Sequence, residues 1–333
     1  MTFTKEIKQK ALNLGFVATG ITSAAPFRKS YRRLRRLKKN KRLPVFMNSD
    51  IKLITHPRAI LPGAESIITV ALSYYQKIPL QEEAFIARYA RIPDYHLLIK
   101  DKLKKLAAFI NRYNQNNNLK ILCDNGPLLE RQSARRSGIG WIGKNTCLLN
   151  QEYGSFLVLG EIITDLKLEP DQPQESKCNN CQLCLENCPG NALNPKRPYD
   201  MQHKQCLSFL SQKRGVLKEK DNLLFENKLW GCDSCQEVCP YNKEVNLNKN
   251  QAQTPIIKPN LSVLLSLNHK EELPADWEKT ALSWRGTRIL IRNALIVSGN
   301  CKYNNYFDQL LRLSSSRSPI IKKYARRALN MFN

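Results

Sequence analysis

Apolar and polar positions alternate along the first half of the chain in a pattern that predicts a mixed domain of strands and helices. Short apolar runs between turn residues predict strands at 16–21, 66–73, 119–123 and 156–163. Apolar residues at helical spacing predict helices over 4–16 and 94–113, and a third helix that begins near Leu128. Because these strands alternate with helices, we expect an α/β domain.

Two changes in composition predict the domain boundaries. The segment Glu169–Pro173 contains two prolines and ends the α/β pattern, and after Tyr241 the chain is rich in Asn and Lys until about Pro259. Helices predicted at 289–297, 305–313 and 318–331 resemble one HEAT-like unit. We therefore expect an α/β domain over 1–170, a cysteine-rich domain over 171–245 and a helical tail over 246–333.

The chain is strongly basic, with 53 Lys and Arg against 28 Asp and Glu and a net charge of +25. Such an excess predicts a polyanionic partner, first of all a nucleic acid, and a solubility surface is the alternative. The run Arg28–Arg42 holds ten of these cations. We predict a helix here with Leu34 and Leu37 on its inner side, and both phosphate contact and a solvated face remain open for its other sides.

Eight cysteines lie in two blocks between Cys178 and Cys239. The first block reads C-x2-C-x2-C-x3-C-P, the bacterial ferredoxin spacing for [4Fe–4S] clusters, in which the fourth cysteine ligates the other cluster. The second block, C-x2-C-x3-C-P, lacks one leading cysteine, and Cys206 between the blocks is the candidate for it. We therefore predict one cluster on Cys178, Cys181, Cys184 and Cys239 and a second on Cys188, Cys206, Cys232 and Cys235.

Structural zinc sites and disulfides are the alternatives for these cysteines. Zinc sites usually show separated C-x2-C pairs that close on four ligands within one knuckle, and the first block fits that poorly. Disulfides need an oxidising compartment, whereas the N-terminal residues show no apolar core followed by a cleavage site. We therefore expect a reducing cytoplasm and thiolates used as metal ligands.

No membrane partner is expected, because the apolar runs are too short to span a bilayer. We also expect a monomer.

Motifs before the cysteine blocks resemble those of a known family. They are CDNGPLLER at 123–131, SGIGWIGKNT at 137–146 and EYGS at 152–155. Together with the cysteine blocks and the motifs at 61–64, 94–96, 206–210 and 283–286, they resemble the epoxyqueuosine reductases, cobalamin-dependent enzymes that complete the modified base queuosine in tRNA. The resemblance runs over most of the chain. The Asp-Thr pair of that family is Asp124-Asn125 here.

The resemblance implies that epoxyqueuosine is reduced to queuosine at the wobble position of a tRNA anticodon, with electrons passing from the two clusters to cobalamin. It makes the α/β domain the cobalamin-binding domain and 171–245 a ferredoxin-like domain. Asp124 would be the general acid, and to hold its proton at neutral pH it would need a pKa raised by an apolar pocket beside the corrin. A helix N-cap is the alternative role for this residue.

The resemblance also implies further contacts. Cobalamin contacts are expected at Asp124, Lys144, Asn145, Leu148, Gly154, Ser155, Leu159, Ser208 and Asp233. Contacts with tRNA are expected at Arg214, Arg285, Arg288 and Arg292. An electron donor that the sequence does not identify is implied as well. The four histidines show no metal-ligand spacing; we expect a packing or capping role for His96, and an approach to the corrin is the alternative.

Two other functions stay open at this point. A cobalamin-dependent reductase or dehalogenase of a small organic substrate would use both kinds of cofactor, but it would not need the large positive charge. A two-cluster electron carrier would need neither the first 170 residues nor the residues around Asp124.

Overall fold

The computed structural model describes residues 2–47, 50–78, 82–113, 117–124, 126–243, 245, 256–268 and 271–332. In this part of the chain the strands are β1 Ala18–Ser23, β2 Ser66–Ser73, β3 Phe85–Ile86, β4 Leu119–Leu122, β5 Trp141–Ile142, β6 Leu148–Leu149, β7 Leu157–Thr164, β8 Leu193–Asn194, β9 Arg197–Met201 and β10 Lys228–Trp230. The α-helices are α1 Phe3–Asn13, α2 Arg28–Lys39, α3 Ile51–Thr55, α4 Pro57–Ile60, α5 Tyr95–Tyr113, α6 Glu130–Arg136, α7 Leu183–Glu186, α8 Leu207–Gln212, α9 Glu219–Leu223, α10 Ser234–Glu237, α11 Pro240–Lys243, α12 Leu261–Ser266, α13 Ala275–Glu278, α14 Thr287–Asn300, α15 Phe307–Leu313 and α16 Pro319–Asn330.

The described residues form two compact units. The first takes its residues from Met1–Tyr74, His96–Cys181 and Pro240–Ala252, and the second takes them from Tyr75–Tyr95, Gln182–Cys239 and Gln253–Asn333. Residues 75–95 join the second unit because β3 pairs in parallel with β10. The three consecutive domains over 1–170, 171–245 and 246–333 stay a prediction.

A four-stranded sheet in the order β1-β2-β7-β4 forms the centre of the first unit, and each neighbouring pair is antiparallel. All eight residues of β2 are buried, as expected for an apolar strand inside a sheet. Gly160 of β7 lets α5 approach closely, because a Cβ at this position would stand 2.6 Å from Ile99 Cγ2. The sheet therefore fixes the start of α5 and the ends of β4 and β7 relative to one another.

The second unit is organised around α14. Every residue from 289 to 299 in this helix is buried, and α12, α15, α16 and β10 contribute to the apolar core around it. Gly299 permits close packing of α16, since a Cβ there would lie 2.8 Å from Ala328 Cα. This core supports the segment that carries six of the eight predicted cluster ligands, from Cys184 to Cys239.

Most predicted elements are found within one or two residues of their expected bounds. The strand predicted at 66–73 is β2, and the helix predicted over 94–113 is α5. The mixture of strands and helices is confirmed, but the main sheet is antiparallel, whereas simple βαβ alternation predicts a parallel one.

His269 and Asn125 lie outside the described residues. No helix within the described ranges is long and apolar enough to cross a membrane.

Candidate active site

Asp124 lies two residues beyond the end of β4. Because β4 runs antiparallel to β7 with Leu122 opposite Glu161, the chain leaves β4 beside the first half of β7. Asp124 Oδ2 lies 2.8 Å from Nε2 of His96, in the first turn of α5, and the Asp124 side chain is 47% exposed. The Asp124 carboxyl is therefore half exposed in the first unit and has a polar partner, and the apolar pocket expected beside the corrin stays a prediction. The N-cap alternative is wrong, since Leu129 precedes the first residue of α6.

Two further carboxyl groups, those of Glu130 and Glu161, interact with Asp124. Glu161 of β7 is fully buried, and Glu130, the first residue of α6, accepts a hydrogen bond from the backbone N–H of Asp124. Burial, together with the charge of Asp124, raises the pKa of Glu130 to about 8. Burial, followed by the charges of Glu130 and Asp124, raises the pKa of Glu161 well above its ordinary value. The site therefore contains three interacting acidic groups rather than one.

Cys123 adjoins the same group of acids. Its thiol is buried, and burial together with the charges of Glu130, Asp124 and Glu161 raises its pKa far above the ordinary value. The thiolate is the reactive form of cysteine, so this environment keeps Cys123 unreactive.

Three predicted cofactor contacts lie on the β5–β6 hairpin and on β7. Leu148 and Leu159 are buried and belong to one apolar cluster with Ile139. Asn145 is buried in the hairpin turn, where its Oδ1 accepts from the Cys147 N–H at 3.1 Å. These residues are therefore buried in the same unit as Asp124.

Gly154 and Ser155, two more predicted contacts, stand just before β7. The Ser155 N–H donates to Asn242 Oδ1 at 2.7 Å, and Asn242 Nδ2 donates to Ser155 Oγ at 2.9 Å. Gly154 has a φ of +63°, and a Cβ at this position would stand 2.0 Å from Asn242 Oδ1. The glycine is needed here for close packing against Asn242.

The first cysteine block begins in the first unit. The Cys181 N–H donates to the Cys178 carbonyl at 3.0 Å, which gives the tight turn that the C-x2-C spacing requires. Lys144 Nζ donates to the carbonyls of Asn179 and Cys181 at 2.7 Å and 2.9 Å. Lys144, predicted as a cofactor contact, therefore holds this cysteine loop and places a positive charge beside it.

Three cysteines predicted for the second cluster interact in the second unit. The charges of Cys232 and Cys188 both act on Cys206. Cys206 precedes α8. Burial raises the pKa of the Cys206 thiol to about 11, and the backbone N–H groups of Phe209 and Ser208 partly oppose this rise. Deprotonation of this thiol is therefore unfavourable by itself, and coordination of iron by the thiolate would offset that cost.

Asp233 lies between two cysteines of the second block and is buried. Its Oδ2 accepts from the Arg88 N–H at 3.0 Å and from Arg88 Nη1 at 3.1 Å, and the same Nη1 donates to Glu237 Oε1 at 2.9 Å. Burial raises the pKa of Asp233, and the charge of Arg88 opposes that rise. This network ties the cysteine loop to residues 75–95. The other predicted contact in this unit, Ser208, accepts from Gln212 Nε2 at 3.3 Å.

Two predicted tRNA contacts, Arg214 and Arg285, interact in the second unit. Burial and the charge of Arg214 lower the pKa of Arg285. The Arg285 guanidinium stacks over the half-exposed Trp284 ring at 3.6 Å, and Arg288 is exposed at the start of α14. Guanidinium groups and exposed aromatic rings are the groups that bind RNA phosphates and unstacked bases.

Arg292, the fourth predicted tRNA contact, is fully buried. Its guanidinium donates to the carbonyls of Lys213, Gly215, Leu210 and Ser211 and to the Asn293 side chain. These bonds use every guanidinium N–H, so none is left for a phosphate. The prediction of a tRNA contact at Arg292 is therefore corrected: this arginine holds the loop that follows α8.

The basic run forms α2 in the first unit. Leu34 is buried against Ile51 and Ile54 of α3, and Leu37 packs beside them. The eight Arg and Lys residues of this helix are all exposed. The predicted helix with one apolar side is therefore confirmed, and its other sides form a basic surface.

Family models and a relative identify the chain. A model described as epoxyqueuosine reductase QueG, DUF1730, matches residues 55–125, and a model described as a 4Fe-4S double cluster binding domain matches residues 177–242. The epoxyqueuosine reductase of Bacillus cereus is 32% identical over 340 residues, which cover 98% of this chain and 89% of that protein. The chain belongs to the epoxyqueuosine reductase family.

Solved epoxyqueuosine reductases share the fold. A crystal structure of a selenomethionine-labelled epoxyqueuosine reductase matches with a TM-score of 0.92 at 31% identity, over 99% of this chain and 90% of that one. An epoxyqueuosine reductase with a tRNA-Tyr epoxyqueuosine-modified stem loop matches with a TM-score of 0.90 at 31% identity, over 98% and 89%. The resemblance read from the motifs and the two-cluster prediction are both confirmed.

Sequence reasoning missed two residues that interact with Asp124. His96 was expected to pack or cap, but it is hydrogen-bonded to Asp124. Glu161 was not singled out at all, although a lone glutamate inside the apolar strand LVLGEIIT was a visible signal. A charged residue in a strand that is buried throughout its second half requires a special environment.

Proposed function

We propose that this protein reduces epoxyqueuosine to queuosine at the wobble position of tRNA, with electrons from two [4Fe–4S] clusters. The observation that carries the proposal is the Asp124 carboxyl, half exposed beside β7 and hydrogen-bonded to His96 at 2.8 Å. It occurs in a chain that is 32% identical to an epoxyqueuosine reductase along 98% of its length.

The reaction fixes what the site must supply. Conversion of an epoxide to an alkene breaks two C–O bonds, forms one C=C bond and releases the oxygen as water, so each turnover consumes two electrons and two protons. The clusters carry electrons singly, and Asp124 gives a proton to the leaving oxygen. A positioned general acid of this kind accelerates a reaction roughly 10²- to 10⁴-fold.

His96 positions the acid. An imidazole whose proton is on Nε2 donates to a carboxyl oxygen whether the carboxyl is protonated on its other oxygen or ionised. With this tautomer, the bond from His96 Nε2 to Asp124 Oδ2 persists before and after Asp124 gives up a proton from Oδ1. Asp124 keeps one orientation through the cycle.

Cobalamin is the cofactor expected in the first unit. Leu148 and Leu159 are buried in one apolar cluster, and Asn145 and Ser155 are buried and hydrogen-bonded within the unit, so these residues would support the walls of its site rather than contact a large macrocycle directly. When bound, cobalamin supplies the reduced cobalt that the chemistry requires. Asp124 lies in the same unit as these residues, and its proton is the protein's contribution to the reaction.

The tRNA substrate is supported by charge. The net charge of +25 suits a polyanion, and Arg214, Arg285 and Arg288 with Trp284 form an accessible cationic and aromatic patch. A related epoxyqueuosine reductase has been solved with a modified tRNA stem loop. The exposed cations of α2 provide a second basic surface in the other unit.

An anaerobic assay tests this function. Purified protein with reconstituted clusters is incubated with cobalamin, a chemical reductant and tRNA that carries epoxyqueuosine, and the digested nucleosides are separated by mass. We expect a product lighter by one oxygen atom, and none when the reductant is omitted. Protein that binds the tRNA and holds its iron, yet forms no queuosine, would contradict the proposal.

A further inference from the structure

A layer of polar side chains lies between α6 and the sheet. Glu161 of β7 is directly opposite Thr69 of β2, and opposed residues of an antiparallel pair point to the same face. Thr69 Oγ1 lies 2.8 Å from Ser133 Oγ on α6, so this face of the sheet meets that helix. Glu130 precedes Ser133 by three residues and lies on the same side of α6.

The carboxyl groups of the two glutamates in this layer have few hydrogen-bond partners. Among the described residues, neither carboxyl oxygen of Glu161 has a hydrogen-bond partner, and the buried Oε1 of Glu130 has none either. Glu130 is nevertheless anchored to the acid, because the Asp124 N–H donates to its carboxyl. An ionised carboxylate is costly in a buried place without partners, so such a group binds a proton instead.

We propose that Glu130 and Glu161 hold a proton in the interior at neutral pH and pass it to Asp124, which supplies the second proton of each turnover. The inference rests on the proposed function, in which Asp124 gives the first proton. The step is balanced: a glutamic acid O–H bond breaks, an Asp124 O–H bond forms, and the glutamate later recovers a proton from water. Glu130 and Glu161 act through Asp124 and do not touch the substrate.

Different charges act on the two glutamates. His96 and Arg131 lower the pKa of Glu130 and partly oppose the rise caused by burial and Asp124. Glu161 is raised by burial, by Glu130 and by Asp124, with no opposing cation. Burial raises the pKa of both groups, and Glu130, in contact with the Asp124 backbone, is the member of the pair through which the proton reaches Asp124.

The remaining neighbours do not compete for the proton. The Cys123 thiol stays neutral because burial and these acids raise its pKa, and Lys100 acts on Cys123 in the opposite sense. Thr69 and Ser133 carry hydroxyl groups that do not titrate in this range.

Infrared spectroscopy tests the stored proton without any turnover. In the cluster-loaded protein at pH 7, we expect the C=O stretch of protonated carboxyl groups, identified by carbon-13 labelling of glutamate. Glu161→Gln should remove part of this signal, and part of the wild-type signal should titrate near pH 8, where the pKa of Glu130 lies. Absence of a protonated glutamate at pH 7 would overturn the proposal, whatever the protein reduces.

The rate of queuosine formation against pH tests the transfer. Glu161→Gln should slow multiple turnovers at pH 8 at least about tenfold, a modest fraction of a full acid–base contribution. The loss should shrink toward pH 6, where water delivers protons faster, and Glu161→Asp should restore part of the rate. Ser133→Ala, which removes the hydrogen bond to Thr69 but no titratable group, should keep the wild-type profile.

The outcomes separate this inference from the proposed function. A wild-type protein that forms no queuosine contradicts the function, while the infrared signal still decides whether the pair holds a proton. An active wild type with a Glu161→Gln variant of unchanged rate and pH profile contradicts the proton transfer alone. Equal losses in Glu161→Gln and Ser133→Ala at every pH would make the layer merely structural and would also overturn the inference.

Discussion

Asp124 has a backbone conformation that few residues other than glycine adopt. Its φ of +51° lies in the left-handed region, which aspartate tolerates better than most residues. Such a conformation costs on the order of 1–3 kcal/mol and persists where surrounding contacts hold it. Here the Asp124 N–H is bound by Glu130 and its carboxyl by His96. The strain is thus located at the proposed acid.

The buried Glu161 should make stability depend on pH. Its pKa is raised in the folded protein, so the folded state keeps a proton that the unfolded chain releases above its ordinary pKa of 4.5. The associated stability is fully present below that value and is lost as pH rises toward the folded pKa, by about 1.4 kcal/mol per pH unit and group. Glu130 contributes the same trend up to about pH 8.

We therefore expect the free energy of unfolding to fall as pH rises from about 5 to about 8. Glu161→Gln should reduce this slope, and Ser133→Ala should leave it as in the wild type. Denaturant titrations at several pH values measure both. An unchanged slope in Glu161→Gln would mean that Glu161 is ionised in the folded protein.

Of the eight predicted cluster ligands, Cys206 is the one that cysteine spacing supports least, because it lies between the two blocks. Cys206→Ala should leave one intact cluster, so iron should fall from about eight to about four per chain, the contents of two and one [4Fe–4S] clusters. Cys301→Ala is the matched control, since that cysteine lies outside both blocks and should keep all the iron. Iron analysis and the visible absorption of the clusters measure the result. A Cys206→Ala protein with full iron would remove Cys206 from the ligands.

At the scale of elements, periodicity located the strands and helices but not their pairing. β2 and α5 were predictable because local burial patterns repeat at the period of each structure. The antiparallel order β1-β2-β7-β4 joins residues far apart in sequence, and no local pattern encodes it. The assignment of 75–95 to the second unit likewise depends on the pairing of β3 with β10.

Gly154 gives a test of how the start of β7 is held. Gly154→Ala must strain a φ of +63° and place a Cβ 2.0 Å from Asn242 Oδ1. Gly63→Ala is the matched control, because Gly63 has a φ of +77° with nothing within 4 Å of its added Cβ. The control should cost about 1–2 kcal/mol for the left-handed conformation alone.

Gly154→Ala should cost about 1–3 kcal/mol more than this control, the usual effect of overpacking. Thermal and denaturant unfolding of both variants measure the difference. If the two substitutions cost the same, the contact with Asn242 does not constrain Gly154.

At the scale of the whole molecule, the +25 charge should control tRNA binding. The affinity should fall steeply with salt, because each neutralised phosphate releases counterions. Arg288→Glu should weaken binding and reduce the salt slope by about one or two phosphate contacts. Lys220→Glu, on the exposed side of α9 in the same unit, makes the same change of net charge and should have a smaller effect.

Binding of anticodon stem-loops measured at several salt concentrations decides this point. Equal effects of the two reversals would indicate a diffuse attraction rather than a site at Arg288. An affinity that does not change with salt would contradict the proposed role of charge altogether.

The site itself was predictable only in part. Cysteine spacing and the motifs around Asp124 specify chemistry directly, because ligands must be of one residue type at fixed separations. Basic residues carry no such constraint, and Arg292 has the composition of an RNA contact but the burial of a core residue. Partners such as His96 and Glu161 are brought to Asp124 by the fold, so sequence spacing could not reveal them.

Asp124→Asn tests the central claim most directly. The substitution keeps the shape of the side chain and removes its proton, so iron content and tRNA affinity should stay at the wild-type level. Queuosine formation under single-turnover conditions should fall by roughly two to four orders of magnitude, the usual contribution of a general acid. Asp101→Asn, which removes an exposed carboxylate from α5, should keep the wild-type rate. An Asp124→Asn protein that forms queuosine at the wild-type rate would contradict the account.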